Sequence, residues 1–206
     1  IRAAAAALLM LATLGTGPSP AEDETVTAVS VPTFLGAVPG DRVQGLVWRG
    51  GLQLHGSSDA FGGLSGLGFT GADGRLVMVT DRGNFVSGQL IYAPDGTPLS
   101  LVGVTVEPIR NSRGANLPRQ FTRDAEALAV IPREGEPAAV RVGFENLTRV
   151  ADFELVDGRP QGPAREVTIP GWLTDTRTNE SLEAVCIAPP ASPIAGSTSR
   201  GTARSR

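Results

Sequence analysis

Along the central part of the chain, short runs of alternating apolar and small or polar residues are separated by turn-forming residues. Three of these runs share one pattern, and they span residues 63–69, 124–130 and 181–187. Aligned on Ser65, Glu126 and Glu183, the runs recur at intervals of 61 and 57 residues. Strict alternation is typical of a β-strand, and a nearly constant interval indicates a repeated structural unit.

The first two units each continue with three more predicted strands. These lie at 76–80, within 91–98 and at 101–106 in the first unit, and at 140–144, within 153–160 and at 165–169 in the second. The third strand of each unit runs into an Asp-Gly pair, which favours a hairpin turn. An acid, Asp81 or Glu145, closes the second strand. Four strands per unit is the blade of a β-propeller, whereas a β-sandwich, the alternative, gives no reason for the internal register.

The predicted fold class is therefore all-β, a partial β-propeller of about two four-stranded blades plus flanking strands. Propellers close with roughly four to eight blades, so we expect the ring to be incomplete. The residues 29–31 and 51–54 read as extended, and we expect this region to add a strand that would pair with the last blade of a full ring.

The two ends of the chain differ from this pattern. Arg2 and an apolar run that is too short to span a bilayer predict a signal peptide over residues 1–21, with cleavage after Ala21. Residues 22–188 form the predicted propeller domain, which we expect to be truncated. Residues 189–206 are rich in Pro, Ser, Gly and Arg, which predicts a disordered tail, read either as a natural tail or as translation in a shifted frame. We therefore expect an exported protein, periplasmic or extracellular, without a transmembrane segment after signal cleavage.

Composition narrows the possible functions. The 206 residues include 26 Gly and 16 Pro, which disfavours a helical bundle. A net charge of -3 leaves no basic surface for nucleic acid. The single cysteine excludes an intramolecular disulfide, and the single histidine excludes a multi-histidine zinc site.

The sequence Gly66–Gly71 fits a dinucleotide fingerprint but precedes a predicted strand where a helix is needed. Ser65 lacks the second glycine of a nucleophile elbow and is predicted to be structural.

Four acids stand at equivalent strand ends or starts of successive units: Asp81, Glu126, Glu145 and Glu183. Equivalent positions of propeller blades converge on one rim of the central channel, and crowded carboxylates favour a neutralising cation. Oxygen ligands suit Ca²⁺, so these four residues are the predicted calcium ligands. A bound cation would activate a water for hydrolysis, with Glu126 and Glu145 as the predicted catalytic carboxylates. The alternative is that the acids only bind backbone N–H groups in the turns.

Arginine supplies the predicted phosphate ligands. Arg82 and Arg149 lie just past the closing acids Asp81 and Glu145, and a guanidinium group binds phosphate through two parallel hydrogen bonds. A purely structural Asp-Arg pair is the alternative at Arg82. The sequence leaves the oligomeric state open.

Five segments in order resemble one known family. They are Phe61–Leu67, Thr80–Gly83, Asp124–Leu128, Gly143–Asn146 and Leu182–Ala184. Together they resemble the phytase-like domain, often called esterase-like activity of phytase, of which this chain looks like an N-terminal portion. The resemblance implies an exported bacterial propeller that hydrolyses phosphoesters with calcium, so the predicted partner is a small phosphorylated substrate. Two alternatives remain: a non-catalytic propeller that binds a ligand or partner in the cell envelope, and a non-functional product of a broken gene.

Overall fold

The computed structural model describes residues 20–118, 122–174 and 182–188, and β-strands dominate these ranges. The strands are β1 (Glu22–Asp23), β2 (Val26–Val31), β3 (Arg42–Val43), β4 (Leu46–Val47), β5 (Gly51–Gly56), β6 (Leu64–Phe69), β7 (Arg75–Thr80), β8 (Asn84–Tyr92), β9 (Pro98–Pro108), β10 (Ala125–Arg133), β11 (Glu136–Phe144), β12 (Arg149–Val156) and β13 (Arg159–Val167). The helical elements in these ranges are a 3-10 turn, Asp59–Phe61, and α1, Gly171–Thr174. The all-β prediction is confirmed. Neither helical element has the length and apolarity needed to cross a membrane.

Two antiparallel sheets correspond to the two predicted units. The first, here called blade 1, has the strand order β1-β9-β8-β7-β6, and the second, blade 2, has the order β10-β11-β12-β13. In both, four strands that are consecutive in the sequence form a meander, which is the arrangement of a propeller blade. Asp157 and Gly158 form the two-residue loop between β12 and β13 with φ values of +52° and +76°. Left-handed backbone at both positions is typical of a type I′ hairpin turn, so the Asp-Gly signal is confirmed there.

The two blades pack face to face through a shared apolar core. Val77, Val79 and Phe85 of blade 1 belong to the same buried cluster as Val140, Val142, Phe144 and Phe153 of blade 2. The rings of Phe85 and Phe153 meet edge to face with centroids 5.0 Å apart. The innermost strands approach closely, because a side chain on Gly66 of β6 would place its Cβ 2.7 Å from the backbone nitrogen of Leu128 in β10. Glycine at position 66 therefore sets the spacing of the blades.

The region before blade 1 is extended, as predicted, and it forms two small two-stranded sheets. Strand β2 pairs with β5 in antiparallel register from Val26↔Gly56 to Val31↔Gly51, and β3 pairs with β4. Val26 and Leu54 pack against the cluster of buried residues on the outer face of blade 1. Strand β1 extends blade 1 at its outer edge by pairing with β9.

The predicted first strand of a third unit does not form. Residues 182–188 carry no strand structure, although Leu182 is buried in a cluster with Ala127 and Val150 of blade 2. A strand needs a hydrogen-bonded neighbour for its backbone groups, and 182–188 has none within the ranges that the structure describes. The side chain of Leu182 therefore packs against blade 2 although residues 182–188 form no strand. The predicted signal peptide, up to residue 19, and the predicted tail, from residue 189, lie outside the described residues.

Candidate metal centre

Three carboxylates of blade 2 converge where β10 begins and β11 ends. One oxygen each from Asp124, Glu126 and Glu145 lies within 4.8 Å of the other two. Glu145 is buried, with 5% of its surface exposed, and the other two are half-buried. We call these three residues the acidic cluster.

A β-bulge aims Glu126 into the acidic cluster. Ala125 pairs with Phe144 and Ala127 pairs with Gly143, so Glu126 is the extra residue between two paired positions. A bulge interrupts the ladder, bends the strand and turns the side chain of the extra residue to a new direction. The side chain of Glu126 therefore departs from the regular alternation of β10 next to the end of β11.

Hydrogen bonds in the β11–β12 turn hold the other two members of the cluster. The backbone N–H of Glu145 donates to the carbonyl oxygen of Asp124 at 2.9 Å, and the side-chain amide of Asn146 donates to Oδ2 of Asp124. The hydroxyl of Thr148 donates to the carbonyl oxygen of Glu145 at 3.0 Å. These contacts fix the backbone that carries Asp124 and Glu145.

The surroundings of Glu126 disfavour its charged form. Burial, together with the neighbouring carboxyl groups of Asp124 and Glu145, raises the pKa of Glu126 to about 7, although a hydrogen bond from Ser65 opposes the shift. Crowded carboxylates disfavour one another's charged form, and a bound divalent cation reverses that effect. Carboxylate oxygens are also the ligands that hard cations such as Ca²⁺ prefer, so the donor set fits calcium.

Blade 1 repeats the backbone of this site but retains only one acid, Asp81, at the three equivalent positions. The N–H of Asp81 donates to the carbonyl oxygen of Gly63 at 2.9 Å, as Glu145 does to Asp124 in blade 2. Leu64 pairs with Thr80 and Gly66 with Val79, which leaves Ser65 as the bulged residue. Gly63 takes the place of Asp124 with φ +68°, and the carboxylate of Asp81 fills the space that a side chain at residue 63 would need.

The structure brings together two of the four predicted metal ligands, Glu126 and Glu145. Asp81 lies outside the acidic cluster, with its Oδ1 3.9 Å from Nε of Arg82 and about half of its side chain exposed. Glu183 is exposed in the segment 182–188 and is not in the cluster either. Asp124 was not among the predicted ligands. Its position two residues before Glu126, within the predicted strand 124–130, was the available signal in the sequence.

The two predicted phosphate ligands have different surroundings. Half of the Arg82 side chain is exposed, and its Nη1 donates to the carbonyl oxygen of Asp59. The guanidinium group of Arg149 lies 3.8 Å above the ring centroid of Phe144 and donates to the carbonyl oxygens of Thr122 and Leu147. Burial lowers the pKa of Arg149. Phosphate binding by Arg82 and Arg149 stays a prediction.

Comparison with known proteins identifies a family. The family model described as "Phytase-like: Esterase-like activity of phytase" matches residues 59–202. This range begins at the 3-10 turn before β6 and includes β6–β13 and the acidic cluster. No curated protein and no solved structure matches the chain.

Proposed function

The chain belongs to the phytase-like family, described as esterase-like activity of phytase, and from this premise we propose that it hydrolyses phosphoesters with the help of a bound Ca²⁺ ion. The observation that carries the proposal is the convergence of Asp124, Glu126 and Glu145 within 4.8 Å. Three carboxylates at this spacing provide the oxygen ligands of a divalent cation.

Each carboxylate has a distinct role in the proposal. Asp124 and Glu145, held by the turn between β11 and β12, would bind the cation. A cation in this place would polarise a phosphoryl oxygen and lower the pKa of a bound water. Glu126 is half-buried, so in addition to binding the cation it can accept the proton of a water that attacks phosphorus from the solvent side.

Substrate binding is the less defined part of the proposal. Arg82 is the more accessible of the two predicted phosphate ligands because half of its side chain is exposed. The donors of Arg149 are directed at backbone carbonyls, so its contribution would be indirect, through the turn that carries Glu145.

Export is part of the same proposal. The first strand of the structure begins at Glu22, directly after Ala21, the predicted cleavage position. Glu24 accepts hydrogen bonds from both Ser57 and Ser58, so the segment that follows the predicted signal peptide is integrated into the fold.

Phosphate release from p-nitrophenyl phosphate and from phytate tests the proposed activity. We expect the purified chain to release phosphate in the presence of Ca²⁺, to lose this activity in excess EDTA and to regain it when Ca²⁺ is restored. Release that is unchanged by EDTA would overturn the metal-dependent mechanism. Calcium binding without any phosphate release would instead support a non-catalytic binding module.

A further inference from the structure

A cavity of about 170 Å³ lies between blades 1 and 2. Its lining includes Arg75 and Ser87 of blade 1 and Asp157 and Arg159 of blade 2. The cavity adjoins the turn between β12 and β13, whereas the acidic cluster adjoins the turn between β11 and β12. Strand β12 has eight residues and therefore separates the two turns by about 25 Å. The cavity and the acidic cluster thus lie at opposite ends of blade 2.

Two buried hydroxyl groups lie side by side at this cavity. Ser87, which lines it, pairs with Thr105 across β8 and β9, and the two residues are 3% and 7% exposed. Ser87 lies on the same face of β8 as Phe85, which packs against blade 2. Neither hydroxyl has a hydrogen-bond partner within the residues that the structure describes. Buried polar groups are nearly always hydrogen-bonded, and an exception calls for an explanation such as a bound water or ion.

A glycine bulge opens the sheet at the same place. The register shift between Ser87 and Gln89 places two residues of β9 opposite the single residue Gly88. One of the two is Gly103, which has a φ of +59°. Beyond its chain neighbours, no atom of the described residues lies within 4 Å of the place that its Cβ would occupy. Both glycines line the cavity, and glycine in a strand interior often marks a place where a ligand approaches the backbone.

Guanidinium groups from both blades give the cavity its charge. Arg75 begins β7 and Arg159 begins β13, and the acid in the lining is Asp157. Arg75 also forms an ion pair with Asp73 at 3.0 Å, but both side chains are about half exposed, and exposed pairs of this kind are weak. Its Nη1 donates to the carbonyl oxygen of Asp157 at 3.3 Å. A guanidinium group has more N–H donors than these contacts use, so Arg75 retains donors for a ligand.

We propose that the cavity binds a small oxyanion of the size of phosphate between the two blades. Arg75 and Arg159 bind the anion from opposite blades, because a guanidinium group presents paired N–H donors that match an oxyanion. The hydroxyl of Ser87 adds a neutral donor from the buried side. The inference does not depend on the proposed activity, since none of these residues belongs to the acidic cluster.

Calorimetric titration of the whole chain with sodium phosphate, in EDTA and at constant ionic strength, tests the inference. EDTA keeps the acidic cluster free of metal, so its carboxylates repel phosphate and binding reports on the cavity. We expect saturable binding by the wild type, and a dissociation constant about tenfold higher in Arg159→Gln, because a hydrogen bond to a charged group is lost. Sodium acetate in place of phosphate is expected to bind more weakly, since it offers fewer oxygens.

Arg42→Gln is the matched control, because Arg42 is an exposed arginine of β3 that does not line the cavity. This variant is expected to bind phosphate within about twofold of the wild type. The proposal is overturned if the wild type shows no saturable binding, if it binds acetate as well as phosphate, or if Arg159→Gln and Arg42→Gln bind phosphate alike.

Ser87→Ala separates a hydroxyl that binds the anion from one that stabilises the fold. The hydroxyl has no partner within the described part of the chain, so its removal is expected not to lower the melting temperature of the phosphate-free protein. The dissociation constant for phosphate is expected to rise about threefold, in line with the loss of one neutral hydrogen bond. Unchanged phosphate affinity together with a lower melting temperature would refute the role of Ser87 in anion binding.

Discussion

Blades 1 and 2 share a backbone plan but differ in the charges that they place on it. In both, the first strand carries a bulge opposite the end of the second strand, and the acid after the second strand donates its N–H to the residue before the first strand. Blade 2 has Asp124 and Glu126 at positions where blade 1 has Gly63 and Ser65. Only blade 2 of the two forms an acidic cluster.

The comparison separates what the repeated backbone determines from what individual side chains determine. The ladder, the bulge and the turn are dictated by strand periodicity and backbone hydrogen bonding, which tolerate many side chains. The chemistry depends on a few substitutions at fixed backbone positions. The carboxylate of Asp81 lies in the space next to Gly63, so the acid that blade 1 retains lies away from the acidic cluster.

The largest expected effect concerns what the blades share, namely the core between them. Phe153 is 1% exposed and meets Phe85 across the interface. We expect Phe153→Ala to lower the free energy of unfolding by about 3–5 kcal/mol, because it removes buried apolar surface and leaves a cavity. Denaturation by urea, followed by fluorescence or circular dichroism, measures this loss.

Leu67 of β6 is the matched control for the core substitution, since it is apolar but 50% exposed. Leu67→Ala is expected to cost about 1 kcal/mol or less, in line with other exposed positions. Equal losses for Phe153→Ala and Leu67→Ala would contradict the packing of the two blades described here.

The second prediction tests the difference between the blades directly. Glu145→Gln removes the most buried charge of the acidic cluster, and we expect the dissociation constant for Ca²⁺ to rise about 100-fold, because calcium affinity follows the number of charged ligands. Phosphate release should fall with it. Asp81→Asn changes the equivalent position of blade 1 and is expected to alter calcium affinity by no more than about twofold. A larger effect of Asp81→Asn on calcium affinity would show that Asp81 is a metal ligand, as the sequence predicted.

The smallest effect is a dependence of stability on pH in the absence of metal. The pKa of Glu126 is raised to about 7 in the folded protein, mainly by burial, whereas an unperturbed glutamate titrates near about 4.3. Because its pKa is higher in the folded protein, Glu126 holds its proton more tightly there than in the unfolded chain, and this difference stabilises the fold. The stabilisation is complete below the pKa of the unfolded chain and is lost as the pH rises through the pKa of the folded protein. We therefore expect the melting temperature in EDTA to fall as the pH rises from about 4.5 to about 7.

Glu126→Gln provides the control for the pH dependence, because glutamine does not titrate. The variant is expected to lose the part of the pH dependence that comes from Glu126. Saturating Ca²⁺ should also remove the fall in wild type, since the cation favours the ionised carboxylate. An unchanged pH profile in Glu126→Gln would show that another group is responsible.

Much of the fold follows from the sequence because its signals are local and repeated. The alternation around Ser65 and Glu126, together with the acids Asp81 and Glu145, predicts the first two strands of both blades. The segment 182–188 has the same alternation but no strand structure, because strand pairing is a tertiary property that a run of residues does not contain. Pattern alone predicts which residues can form a strand, and a neighbouring strand decides whether they do.

The candidate site follows from the sequence only in part. Glu126 and Glu145 were predicted from repeat alignment, but the same alignment predicted that Asp81 and Glu183 would join them. Equivalent positions in a repeat share a backbone location, whereas a cluster also requires side chains that reach one another. Asp124 completes the cluster from within one blade, so the site depends on a local bulge and a turn that alignment between blades does not reveal.

The paired bulges have a consequence for how such a protein can change. Since the irregular backbone at position 65 is present with serine and that at position 126 with glutamate, the irregularity does not depend on the acid. A mutation at a bulged position can thus exchange the functional group while the hydrogen bonds between the strands stay intact. Each blade offers the same bulged backbone position, and the side chain at that position determines whether the blade has a chemically active group there.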